Sequence, residues 1–220
     1  MRARALKAPP ETATPLRPTA KGRAMRDSLV AAAADLFAEL GYEQTRVTDV
    51  VTRAGTSHGN FYRHFKDKDE ILLAVLEPLI KDVRSSSRAR SSQTGLPSEA
   101  ELCARNADFF RVYAKHRRLL RVMREAASRG GSASSFLDLW LAQREFFVAR
   151  TERWLAGLQA RGLVSAAIAP RMLAEALGSM TEQLAYVKIG LAPRKPAAKE
   201  IDELGRTCGR LWYLALAADA

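Results

Sequence analysis

Between Val47 and Lys68 the chain concentrates side chains that can do recognition chemistry: Thr48, Ser57, His58, Asn60, Tyr62, Arg63, His64 and Lys68. Hydroxyls, amides, imidazoles and cations of this kind donate to phosphate oxygens and pair with base edges. They alternate with Val50, Val51, Phe61 and Phe65, which are apolar and suited to packing. The same stretch also spells Gly55-Thr56-Ser57-His58-Gly59, a G-x-S-x-G pattern that elsewhere presents serine as a nucleophile. That chemistry requires a strand entering a strained turn, and a helical pattern precedes Gly55 here, so no catalytic residue is assigned. His58 and His64 lack the i, i+4 spacing that puts two imidazoles on one helical face, and no metal site is expected. Cys103 and Cys208 stand alone in the sequence, read as two small residues inside reduced helices. No cofactor is implied.

Stepping from these residues to their frame, the 220-residue chain is 47% hydrophobic and 27% charged, enough apolar content to bury a core. Its formal charge of +11 suits an anionic partner, nucleic acid or a membrane surface. Spanning a bilayer takes about 18 consecutive apolar residues, and Leu29–Leu40 is broken by Asp35 and Glu39. Pro9, Pro10, Pro15 and Pro18 occupy the place where a secretory signal needs an apolar run, so a cytoplasmic protein is expected. Residues 1–22 have the composition of a disordered basic arm. Positions 1–26 hold seven basic residues and one acid, whereas positions 27–68 hold five basic and six acidic, so much of the surplus sits ahead of the recognition residues.

The elements that must position those residues all read as helices. Leu29, Ala33, Leu36, Phe37 and Leu40 recur with a helical period, predicting a first helix over Arg23–Leu40 with Gly41 as its left-handed C-terminal residue. Val47, Val50, Val51 and Ala54 predict a short second helix, and Ser57 caps a third whose buried side is Phe61 and Phe65. Asp67 and Glu70 form a capping-box variant at the start of a fourth helix, inside which Pro78 falls. A loop is expected over Arg84–Pro97, then helices over Ser98–Lys115, His116–Ser128, Ser134–Ala160, Pro170–Gly190 and Lys199–Ala218. With no convincing strand, the fold class is all-α, and the two short helices joined at Gly55 make a helix-turn-helix, a unit whose second helix fits the DNA major groove.

The segments Leu36–Tyr42, Val47–Val50 and Arg53–Lys68 closely resemble the DNA-binding domain of the TetR family of bacterial transcriptional regulators, with consistent spacing over about Arg23–Leu76. The resemblance implies a three-helix DNA-binding head over 23–66 and a larger ligand-binding and dimerisation body over 67–220. It implies a repressor more often than an activator, acting on a pseudo-palindromic double-stranded DNA operator as a dimer. Carried over by position, Tyr62, His64 and Lys68 match family positions that touch phosphates, His58, Asn60 and Arg63 match those that read bases, and Thr48 and Ser57 lie on the same exposed side. One departure is Arg46, where the family usually has Thr or Ser; Thr45 then offers a cap, and Arg46 a phosphate contact.

In the body, Phe136–Trp140 and Ala176–Glu182 are similar, more weakly, to the mycobacterial ethionamide-monooxygenase repressors within that family. By that similarity Phe110, Tyr113, Trp140, Phe147 and Met180 would line a pocket, with Thr181 and Gln183 as polar anchors, for an apolar or amphipathic small molecule. The competing reading of these aromatics is plain core. Glu182 would be costly in a dry pocket unless an arginine met it. Ala174, Leu177, Leu184, Ile201, Leu204, Leu211 and Ala215 would form a homodimer face on the last two helices. A protein that binds duplex DNA without sequence preference is the alternative reading of the same head.

Overall fold

The computed structural model describes residues 19–86, 95–129 and 135–217. The elements are α1 (Ala20–Leu40), α2 (Val47–Arg53), α3 (His58–Tyr62), α4 (Lys68–Ser86), α5 (Glu99–Lys115), α6 (Arg117–Arg129), α7 (Ser135–Ala160), α8 (Pro170–Ala185), a π-helical turn (Tyr186–Gly190) and α9 (Ala198–Ala217). The fold is all-α, without a strand among the described residues.

Local chemistry explains most boundaries, including those that differ from expectation. α1 begins three residues before Arg23, because the Thr19 hydroxyl accepts from the Gly22 amide at 3.1 Å and caps it. Ala20, Lys21 and Gly22 are therefore helical rather than part of a disordered arm, while residues 1–18 of that expected arm lie outside the described residues. Gly41 does follow α1, but at φ 82° and ψ 169° it occupies an extended, positive-φ region open essentially to glycine, not the left-handed helical one. Thr45 does not cap α2; it is fully buried and donates to the Gly41 carbonyl at 2.8 Å. The cap position is Arg46, whose amide donates to the Asp49 carboxylate at 2.8 Å.

α4 runs on to Ser86, beyond the expected loop start at Arg84, and the part of that loop over 87–94 lies outside the described residues. Ser98 caps α5 in a reciprocal capping box with Glu101. The eighth helix stops as an α-helix at Ala185 and widens into the π-turn, closed by the Leu191 amide on the Tyr186 carbonyl at 2.9 Å.

One buried cluster joins the N-terminal helices to the rest. Leu29, Ala33, Leu36 and Phe37 of α1 share it with Phe61, Phe65, the α4 residues Ile71, Leu72, Val75 and Leu76, and Phe110 of α5. α4 is thus common to both parts of the molecule. Tyr42 adds a second link, its ring meeting Phe136 of α7 edge-on at 5.6 Å. α5 and α9 approach until their backbones nearly touch: a Cβ on Gly205 would lie 2.5 Å from Ala107 Cβ, and one on Gly209 2.4 Å from the Cys103 backbone. The pairs Cys103/Ala107 and Gly205/Gly209 each have i, i+4 spacing, so small residues meet along one seam.

Candidate functional site

α2 and α3 are held at a fixed angle by buried Val50, Val51, Phe61 and Phe65. The turn between them depends on Gly55, at φ 63°, in a Schellman arrangement: the Gly55 amide donates to the Thr52 carbonyl at 3.2 Å and the Thr56 amide to Val51 at 2.9 Å. Ser57 then caps α3, accepting from the Asn60 amide at 3.3 Å. Ser57 is occupied as a cap, its hydroxyl oxygen engaged by a backbone amide.

On the outer side, Thr48 Oγ1 and His58 Nε2 stand 3.4 Å apart, so the two helices present one continuous polar surface. The Asn60 side-chain amide donates to Thr56 Oγ1 at 2.9 Å, and its oxygen accepts from Arg63 at 3.5 Å, which ties both candidate base readers together. Tyr62 is 59% exposed, with its ring edge-on to Phe61 at 5.3 Å. Packing orients this ring and leaves the hydroxyl outward, as a phosphate contact requires. Gly59 is exposed, and a Cβ there would meet only Ser57 Oγ at 3.8 Å, so nothing inside the chain demands glycine. His64 is half-buried at the end of this surface.

Lys68 is placed differently. Its ammonium donates to the Tyr42 carbonyl at 2.9 Å and lies 4.1 Å from the centre of the Tyr42 ring, and burial pushes its pKa down despite the opposing pull of Glu43. It braces the α1–α2 connection. At the other edge, Lys21, Arg23 and Arg26 lie in the first turns of α1, and Arg26 stacks 5.1 Å from the Phe65 ring.

The second feature is a cavity of about 360 Å³ in the body, bounded by α4 (Leu79, Ile80, Val83), α5, α6, α7, α8 and Trp212 of α9. Of the residues expected to line it, Tyr113, Trp140, Phe147 and Thr181 do so. Phe110, Met180 and Gln183 do not. Phe110 is fully buried in the core, one position round α5 from Phe109, which faces the cavity instead. Met180 packs between the two hydrophobic clusters, and Gln183 is exposed, accepting from Arg124 at 2.9 Å. The Thr181 hydroxyl is spent within the protein, donating to the Leu177 carbonyl at 2.9 Å and accepting from Trp212 Nε1 at 3.0 Å.

Glu182 does reach the cavity, paired with Arg144 at 4.0 Å and accepting from Trp140 Nε1 at 3.1 Å. Burial raises the Tyr113 phenol, which stays protonated. Arg105 and Arg150 also line the wall, and the sequence reading missed both. The signal was present: Leu102, Arg105, Asn106, Phe109 and Tyr113 form one helical stripe, as do Trp140, Gln143, Arg144, Phe147, Thr151 and Trp154.

Some residues expected at a dimer face fall elsewhere. Ala174, Leu177 and Ile201 are buried within the monomer, whereas Leu211, Leu214 and Ala215 of α9 and Met172 and Val187 near α8 are exposed.

A helix-turn-helix with a packed inner face and a polar outer face, carried on a helical body with an apolar cavity, defines a DNA-binding transcriptional regulator. Residues 29–75 match the family described as bacterial regulatory proteins, tetR family. The chain is 27% identical over 178 residues to the HTH-type transcriptional regulator EthR of Mycolicibacterium smegmatis, covering 78% of this chain and 80% of that protein. That alignment takes in the body as well as the head. Among solved structures, Salmonella enterica GusR superposes with a TM-score of 0.68 at 18% identity, over 88% of this chain and 95% of that one. A SmeT–triclosan complex superposes at 0.62 with 23% identity, over 87% and 90%. Residues 29–75 thus carry the DNA-binding domain of the TetR family of bacterial regulatory proteins, and the whole chain has a TetR-family regulator among its relatives.

Proposed function

We propose that this regulator is a ligand-responsive repressor: a dimer that binds a pseudo-palindromic operator and is released when an apolar or amphipathic small molecule enters the body cavity. The observation that carries the reading is the double duty of α4. Its residues Ile71, Leu72, Val75 and Leu76 are buried with the helix-turn-helix core, and Leu79, Ile80 and Val83 form cavity wall. A ligand that favours one position of α4 favours one placement of α3. Differential affinity for the two placements is what shifts the population; a ligand binding both equally would release nothing.

In this reading Thr48, Ser57, His58, Asn60 and Arg63 face the major groove, Tyr62 and His64 meet phosphates, and Arg46, Lys21 and Arg23 add positive charge at the rim. Residues 23–66 serve as head and 67–220 as body. The exposed apolar residues Leu211 and Leu214 on α9, with Met172 and Val187, support a two-fold interface through the last helices. The complex of SmeT with triclosan supports the idea of a small apolar ligand for a body of this shape.

Selection from a random duplex library at fixed, near-physiological salt tests the proposal, followed by rebinding in the presence of small molecules. An enriched two-fold symmetric sequence that a ligand releases is expected. Tight, salt-dependent binding with no enriched sequence would instead make the protein an architectural DNA binder.

A further inference from the structure

Two neutral polar side chains in the cavity wall have hydrogen-bonding capacity that the protein does not use. Asn106 and Tyr113 of α5 are only 7% and 6% exposed, and both line the cavity. The Asn106 side-chain nitrogen donates to the Leu102 carbonyl at 2.9 Å. That carbonyl can only accept, so the atom facing it must be the amide nitrogen, and the remaining atom is the side-chain oxygen. The oxygen accepts from no described residue, and the Tyr113 hydroxyl makes no hydrogen bond with one. Neither atom is sealed in protein as Arg121 Nε and Arg124 Nη1 are, so the cavity is where each can meet a partner.

The charged groups of the wall, by contrast, are already engaged. Glu182 pairs with Arg144 and accepts from Trp140. Arg124 donates to Gln183 and stacks 3.9 Å from the Tyr186 ring. Arg105 lies 5.9 Å from the Trp154 ring, and both it and Arg150 have further partners. A cationic ligand would enter beside four arginines, with the one carboxylate among the described lining residues already taken. A carboxylate ligand has no hydrogen to offer Asn106 and would set its own oxygens against that acceptor. What the wall leaves unmet is therefore the demand for a neutral O–H or N–H donor.

Tyr113 adds a second point. Burial keeps its phenol protonated, so the hydroxyl can donate as well as accept. Asn106 and Tyr113 are seven residues apart, about 10 Å of helical rise, and Phe109 lies between them on the same cavity-facing stripe.

We infer that the effector is an uncharged amphipathic molecule: its hydroxyl or N–H donates to the Asn106 oxygen, its apolar middle lies on Phe109, and a second oxygen or hydroxyl meets Tyr113. This rests on the cavity being the effector site proposed above, and it adds the ligand's charge class and the placement of its polar groups. Chain-like and aromatic molecules share this chemistry, and the volume of about 360 Å³ suits one small molecule of either kind.

The test uses the full-length protein with decan-1-ol, its isomer methyl nonyl ether, decanoate and decylammonium, and in parallel 6-phenylhexan-1-ol with its methyl ether. Direct binding and release from the selected operator are measured for each. In at least one series the alcohol is expected to bind about fivefold or more tightly than the ether, which leaves the Asn106 oxygen unpaired, and the two ions should bind more weakly than decan-1-ol. Asn106→Leu should abolish the alcohol's advantage over the ether. Decane-1,10-diol reports on Tyr113: Tyr113→Phe should lower its affinity relative to decan-1-ol by about threefold or more. Because the Tyr113 hydroxyl bonds nothing within the protein, that variant should melt no lower than the parent. Equal binding of alcohol and ether in both series overturns the inference, as does tighter binding of either ion, an alcohol preference that survives Asn106→Leu, or binding of no probe at all. The comparison of probes needs no variant, so misfolding of a mutant does not obscure the result. If the ethers release the operator as well as the alcohols do, the regulator reading stands and the Asn106 assignment falls. If alcohols bind selectively but no operator is ever found, the Asn106 contact stands and the regulator reading falls.

Discussion

Gly178 is the position where filling the cavity can be worked through in energy. It lies in mid-α8 on the same face as Ala174, Thr181 and Glu182, all cavity-lining, and a Cβ there meets nothing within 4 Å. Gly178→Leu removes a glycine from a helix interior, worth about 1 kcal/mol relative to alanine or leucine. Burying the leucine side chain adds about 1.5–3 kcal/mol if burial is complete, and less where the cavity already holds water. A net stabilisation of about 1–3 kcal/mol is expected. With a urea m-value of about 2–3 kcal/mol/M, the midpoint should rise by about 0.3–1.5 M at unchanged slope, measured at one fixed protein concentration. Operator affinity should stay within about twofold, and ligand-induced release should weaken by tenfold or more because the leucine occupies the ligand's space. A midpoint that falls would show an overpacked site and no usable cavity beside α8. Raised stability with full ligand response would place the effector elsewhere.

Other perturbations probe the remaining parts of the molecule. Gly209→Ala drives a methyl into the Cys103 backbone and should destabilise the body by about 1–3 kcal/mol in urea melts, whereas Gly157→Ala, with open space around it, should not. Gly59→Ala should raise helix stability by up to about 1 kcal/mol yet cut operator affinity, if the bare backbone of α3 is there to approach DNA; unchanged affinity would remove that role. Tyr62→Phe should weaken binding to all duplexes alike, while Asn60→Ala and Arg63→Ala should lose about 1–3 kcal/mol of discrimination between operator and mismatched sites, read by competition binding. Glu200 is held down to about 2, from 4.5, by Arg194 and the Ala197 amide. A depressed carboxylate contributes stability that is present above its unfolded value and lost as pH falls through the folded one, so this contribution should fade between about pH 4.5 and 2. Glu200→Gln should therefore lower stability at pH 7, leave it nearly unchanged below about pH 2, and so flatten the acid limb of the melting curve between them.

Much of the recognition head was legible in sequence because its geometry is set by neighbours in the chain. The Schellman turn at Gly55, the Ser57 cap and the Phe61/Phe65 pair act over five residues or fewer, and each announces itself by residue type and spacing. The Thr19 cap is equally local, but it follows a proline-rich segment whose composition points away from a helix. Lys68 shows where local reading ends. Its partner is the Tyr42 carbonyl, 26 positions away, and no helical spacing connects the two.

The sequence by itself determined an all-helical chain, a helix-turn-helix and the side chains on its outer face, since helical periodicity, caps and turn glycines are local and one-dimensional. Only the tertiary structure decided which helical faces meet. It turned Phe109 rather than Phe110 into the cavity, brought Arg105 of α5 and Arg150 of α7 to the wall of that same cavity, and drew Ala174, Leu177 and Ile201 into the monomer's own core. A face that is apolar in sequence can be covered by any neighbouring helix, and the choice here is made by close packing at seams such as Gly205 and Gly209 against α5, where a single methyl group would not fit.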